Sequence, residues 1–240
     1  IRSLSDNVII PIAGVILAFV MTLELIQMVA DKNNMHGDVD TWMFFKWIFK
    51  TAAAVLIVTN TWNIVMGVFD VGQSVVNSAA GVIAHDTSID INSIVVDLEA
   101  RLMAMDLGPL FGLWFQSLFV GICTWALTIC IFIITYGRMI EIYLVTSVAP
   151  IPMATMMDSG EWASIGKNWI KQLLALSFQG FFIVVALGIF KTLFSNAIVA
   201  LNASTDGVIL QMGLLLGYTA ALIFTILRTG AISKSVFNAH

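Results

Sequence analysis

The stretch RMIEIYLVTSVAPIPMATMM, opening at Arg138 and closing at Met157, decides how often this chain crosses a membrane. It is long and apolar enough to be a transmembrane helix, which needs about 20 such residues. It also carries Arg138, Glu141, Pro150 and Pro152. An ionisable group inside hydrocarbon is costly, and proline inside a helix removes a donor and clashes with the preceding turn. The stretch is therefore either a sixth span or an elbow.

A bilayer is the right frame because of composition. Of 240 residues, 59% are apolar and 11% charged, against about 45–50% and about 25% in soluble domains. Such a chain cannot cover itself with polar surface in water, which excludes a soluble enzyme and a disordered chain. The formal charge of −4 leaves no basic footprint for nucleic acid or anionic lipid. Cys123 and Cys130 lie two helical turns apart, too far to bridge. Residue 1 is Ile with no basic n-region after it, so no signal peptide is expected within these residues.

Around the elbow, apolar runs predict spans at 8–30, 42–68, 110–135, 173–190 and 209–227. Lysine and arginine collect on the cytoplasmic side. Five spans with the N-terminus outside put eight inside (Lys32, Lys46, Lys50, Arg138, Lys167, Lys171, Arg228, Lys234) and three outside (Arg2, Arg101, Lys191). A sixth span changes the split to five inside and six outside. The expected fold is thus an all-α integral membrane protein with five spans, N-out and C-in. Residues 136–157 form a cytoplasmic-side elbow, interfacial or re-entrant, which must be buried in protein or face water.

The external loop, 69–109, is acidic and contains two patterned segments. In the first, Gln73, Ser74, Asn77 and Ser78 oppose Val71, Val75, Val76 and Ala79. In the second, Ile91, Ile94, Val95, Leu98, Leu102 and Met105 recur at helical spacing, with Asp90 as N-cap and Asp97–Arg101 as an i,i+4 pair. Both are expected on the membrane surface or against a partner. Without repeats or linkers, 1–240 reads as a single polytopic domain.

No catalytic constellation emerges. His36, His85 and His240 have no ligand partner at metal spacing, no phosphate-binding glycine motif occurs, and Ser159–Gly160 lacks the flanking glycine of a nucleophile elbow. The expectation is a non-enzyme with no cofactor and no metal.

The remaining candidates are polar groups within spans. Glu24 and Lys50 sit roughly 9–12 Å deep from the inner side, which predicts that Glu24 pairs with Lys50, or with Lys46 one turn nearer the surface. The competing reading is that both lysines extend to the cytoplasm. Arg138 and Glu141 are i,i+3, which suits a local ion pair or a pair that sets the elbow. Gly213, Gly217 and Ala221 form a small-residue stripe suited to close helix packing, within the chain or between subunits. Asn60, Asn63 and Gln179 need hydrogen-bond partners or a wet face.

Arg138-Met-Ile-Glu141 runs through Tyr143 to Ala149-Pro150-Ile-Pro152, and Asn168-Trp169-Ile-Lys171-Gln172 opens the next span. This arginine-to-Ala-Pro elbow after a long apolar span, followed by a Trp/Lys helix start, resembles the TrbL-type polytopic inner-membrane channel proteins of type IV secretion. The resemblance covers 110–231 in sequence and the whole chain in topology. It implies a channel or scaffold subunit that helps move DNA or protein across the bacterial cytoplasmic membrane. It further implies contacts with the machine's ATPases and external components, a homo-oligomer, transient contact with the translocating substrate, and no cofactor. The family's extended cytoplasmic tail does not follow the last span within these residues. A secondary transporter or small-solute channel is the alternative, although no inverted repeat or paired broken helix supports one.

Overall fold

The structure, a computed structural model, describes residues 2–33, 41–85, 96, 99–100, 102–203 and 208–239, and no strand occurs among them. A short helical lead-in, Arg2–Leu4 and the π-turn Ser5–Ile9, runs into α1 (Ile10–Asn33). Then follow α2 (Thr41–Thr59), α3 (Thr61–His85), α4 (Leu107–Ser147), α5 (Pro150–Thr155), α6 (Ala163–Ala203) and α7 (Val208–Val236). Five helical segments are long and apolar enough to cross a membrane: Arg2–Ala30, Thr41–Thr59, Leu107–Ser147, Ala163–Ala197 and Gly213–Val236. The protein is an all-α polytopic membrane protein.

Two boundaries differ from the sequence reading. Helix α4 does not end near 135 but continues through Arg138 and Glu141 to Ser147. Both charged side chains find partners, so neither forces a break; the break comes where the prolines remove donors. Pro150 and Pro152 cannot bond the carbonyls of Thr146 and Val148, which instead accept from Ala149 N (3.3 Å) and Ile151 N (3.1 Å), one residue closer.

The second difference is that α3 carries the chain from the second apolar run to His85, so the first patterned loop segment is helix continuous with it. Only Asn60 interrupts α2 and α3. Thr59 Oγ1 donates to Val55 O (2.8 Å), Asn60 Nδ2 to Leu56 O (2.9 Å) and Thr61 Oγ1 to Val58 O (2.8 Å). Such back-bonding competes with the helical ladder. The second patterned segment, with Asp90, Asp97 and Arg101, lies largely outside the described residues, as do His36, His240 and the side chain of His85.

Contacts divide the chain into two compact units: Ile1–Gln73, Arg138–Ser177 and Ser233–His240 form one, and Ser74–Gly137 with Phe178–Ile232 the other. In the first, Ala13, Leu17, Val20 and Met21 of α1 pack with Ala54 and Val58 of α2 and Ala154 of α5. A second cluster joins Val65, Ala149, Met153, Trp169 and Leu173. In the other unit Leu113, Ala197 and Leu215 form one core, and Leu127, Ala186, Leu222 and Ile226 another. The alanines let apolar helices approach closely, which matters where packing rather than water drives association. Helix α7 ends in a Schellman turn: Asn238 at φ 49° donates to Ser235 O, and Ala239 N to Lys234 O at 2.8 Å.

Candidate functional site

In the first unit the chain beyond α4 folds back along α1 and α2. Ala149 and Met153 pack with Val65, Ala154 with Ala13 and Val58, and Ser159 bonds to Glu24 and Lys50. The return therefore runs beside α2 and α3 from Val65 to Lys50, about 22 Å of helix. Pro150, Pro152, Met153, Ala154 and Thr155 are buried, which shields the irregular backbone within protein. Gly166 seals the hairpin, since a Cβ there would lie 2.6 Å from the Pro152 carbonyl and 2.8 Å from Met156 Cα.

The tip of this hairpin closes on an ion pair. Lys50 Nζ pairs with the Glu24 carboxylate and donates to Ser159 Oγ at 2.7 Å, while Ser159 Oγ donates to Glu24 Oε1 at 2.7 Å. The Glu24 side chain is 12% exposed and that of Lys50 25%, so the lysine does not extend freely into solvent. Lys46 is not part of the cluster; its ammonium sits 5.8 Å from the Trp42 ring centroid. Nearby, Trp47 Nε1 donates to Met21 O at 3.1 Å and ties α2 to α1.

A second polar node gathers on three consecutive carbonyls of α6. Ala175 O accepts from Ser233 Oγ of α7 (2.5 Å), Leu176 O from Arg138 Nε of α4 (3.2 Å), and Ser177 O from Arg138 Nη2 (3.3 Å). Ser177 Oγ in turn donates to Val68 O of α3 at 2.9 Å. Gly72 allows that approach: a Cβ there would overlap the Ser177 hydroxyl and lie 2.9 Å from its carbonyl oxygen. Arg138 and Glu141 thus do not pair with each other; Glu141 meets Lys234 at 3.7 Å across partly exposed surface. The i,i+3 spacing permits a local pair, but α6 offers Arg138 two acceptors on its buried side.

Gly213, Gly217 and Ala221 stand on an exposed face of α7. No atom lies within 4 Å of a Cβ at Gly217, and only Gln116 Nε2, at 3.7 Å, approaches one at Gly213. Among the described residues no group of three His, Cys, Asp or Glu is placed to hold a metal ion. Ser177, Ser233, Gly72 and Gly166 escaped the sequence reading, and Ser159 entered it only as a rejected nucleophile. Single serines and glycines in apolar helices carry no spacing signal, and only the helix rotations reveal what they touch.

Long apolar helices joined by a buried proline hairpin and serine- and arginine-to-carbonyl ties define a polytopic helical membrane protein completed by its surroundings. The family model of the TrbL/VirB6 plasmid conjugal transfer like protein matches residues 1–150. The chain belongs to this TrbL/VirB6 conjugal transfer family, and is a membrane component of the conjugal transfer, or type IV secretion, complex. The match takes in Glu24, Lys50, Arg138 and Glu141 and ends at Pro150, so the Trp169 helix start lies beyond it. No curated protein and no solved structure matches the chain.

Proposed function

We propose that the protein is a non-catalytic channel or scaffold subunit of the conjugation machine, seated in the bacterial cytoplasmic membrane with its N-terminus outside and C-terminus inside. On this reading it assembles with copies of itself, the machine's ATPases and its external components, and makes transient contact with translocating DNA or protein. Besides family membership, the observation that carries the reading is the outward face of α4. Phe111 (68% exposed), Trp114, Phe119, Trp125 (69%) and Phe132 all point away from the chain's own cores. A helix so little covered by its own chain is suited to lipid and neighbouring subunits.

The test is transfer genetics with an assembly readout. Deleting the gene should abolish conjugative transfer, and the wild-type chain supplied in trans should restore it. Replacing Phe111, Phe115 and Phe119 together by alanine should leave membrane insertion intact, yet reduce co-purification with the ATPases and external subunits. Normal transfer in the deletion strain, or solute flux through the purified chain alone, would overturn the reading.

A further inference from the structure

The proline hairpin is shielded along one leg and bare at its tip. In α5 all but Ile151 is buried. The turn that follows, residues 156–162, is irregular and exposes Ser159, Gly160, Glu161 and Trp162. The exposure continues into α6, where Ser164, Lys167 and Asn168 share one side of the first turns, opposite the buried Ala163, Gly166 and Trp169. Glu161 and Lys167 form no ion pair among the described residues.

This polar surface stands partway along two spans. Helices α1 and α2 contain segments long and apolar enough to cross a membrane, Arg2–Ala30 and Thr41–Thr59. Trp162 meets Phe19 edge to face, 6.4 Å between ring centroids, and Phe19 lies about 16 Å of helix from Ala30. Ser159 bonds to Glu24 and Lys50, and Lys50 lies about 13 Å of helix from Thr41. A Cβ on Gly166 would press on Pro152, close to Ala154, which packs among Ala13, Leu17, Ala54 and Val58. All these residues belong to one compact unit.

Irregular backbone at such depth has to be covered by protein or face water, and its own chain leaves this tip open. Lys167 can carry its ammonium toward a membrane surface on its long stem, but Glu161 and Asn168 have no such reach, and a carboxylate against acyl chains is costly. The tip also holds two carboxylate oxygens, Glu24 Oε2 and Asp158 Oδ2, that are buried with no hydrogen bond among the described residues. Buried acceptors of this kind are commonly satisfied by water.

We propose that the hairpin tip and the first turns of α6 line a water-filled vestibule, which enters the membrane from the side where α1 ends and α2 begins. It reaches about halfway along the two spans and ends on the Glu24–Lys50–Ser159 cluster. That a passenger enters it rests on the channel reading above; the vestibule itself does not.

Cysteine accessibility in membranes holding the complete transfer machine tests this. With Cys123 and Cys130 replaced by serine, S164C and N168C are compared with F45C, I48C and V55C, exposed apolar positions of α2. A membrane-impermeant methanethiosulfonate is supplied on both faces. S164C, a nearly isosteric change, and N168C should react about tenfold faster or more than the α2 positions, because the reactive thiolate is suppressed in apolar surroundings. If labelling N168C also blocks transfer, the vestibule lies on the passenger's route. Fast labelling with transfer unchanged keeps the vestibule and counts against the channel reading. Equal, slow labelling at all five positions overturns the proposal. Equal, fast labelling overturns it too, since the surface then stands clear of the bilayer. So does N168C shielded from reagent while cross-linking to a neighbouring subunit.

Discussion

Arg138 donates its Nε–H to the carbonyl oxygen of Leu176, 3.2 Å away, and leaves Glu141 on its own helix to Lys234. With the bond to Ser177 O, one guanidinium spans two consecutive carbonyls of α6, and Ser177 passes the tie on to α3. Arg138 thereby fastens α4 to α6.

Arg138→Gln removes that fork and should destabilise the protein by about 1.5–3 kcal/mol, the usual contribution of hydrogen bonds to a charged group. Arg138→Lys keeps the charge but replaces the planar fork with a single ammonium, and should show a smaller loss. Thermal unfolding in detergent orders the three proteins. Equal midpoints for wild type and Arg138→Gln would remove Arg138 from any packing role.

The Glu24–Lys50 pair should obey charge-swap logic. Lys50→Met strands a mostly buried carboxylate and should cost about 3–5 kcal/mol, whereas Lys46→Met removes only an exposed cation–π contact of about 0.5–1 kcal/mol. Glu24→Lys combined with Lys50→Glu should recover much of either single loss in transfer efficiency and membrane abundance. A double variant no better than the single ones would show that the two side chains act separately.

Gly72 and Ser177 should be energetically coupled. In Gly72→Ala the new methyl displaces the Ser177 hydroxyl and breaks its bond to Val68. Removing that hydroxyl first, in Ser177→Ala, takes away the worst overlap. The double variant should therefore be more stable than the sum of the single effects, by an interaction energy of about 0.5–3 kcal/mol. Strict additivity in a double-mutant cycle would place the helices farther apart than they stand here.

Orientation is open to direct labelling. Cysteines at Ser88 and at Glu161, an exposed residue of the hairpin tip, should react with impermeant reagent from opposite sides of the membrane. Ser88 should label from outside and Glu161 from the cytoplasm. Labelling of both from the same side would reverse the charge-based choice of five spans.

Much of the architecture is local, and to that extent was legible beforehand. Apolar runs of sufficient length must be helices in a bilayer because nothing else satisfies their backbone. Pro150 and Pro152 must interrupt a helix because they have no N–H to give. From those facts alone come the all-α class, the set of apolar segments and the placing of a break near residue 150. Depth along a helix also follows from residue counting, which is why Glu24 and Lys50 could be matched.

Rotation about a helix and its register against a neighbour are not local. One apolar face resembles another, so only tertiary packing chose Lys50 over Lys46 and backbone carbonyls over Glu141 for Arg138. It also turned Gly213 and Gly217 outward while pressing Gly72 and Gly166 against their neighbours. By itself, the sequence determined that this chain belongs in a membrane and that its prolines break a helix near residue 150. Side-chain contacts between helices, which depend on angles no composition records, decided which of its few polar groups are ties and which are left facing outward.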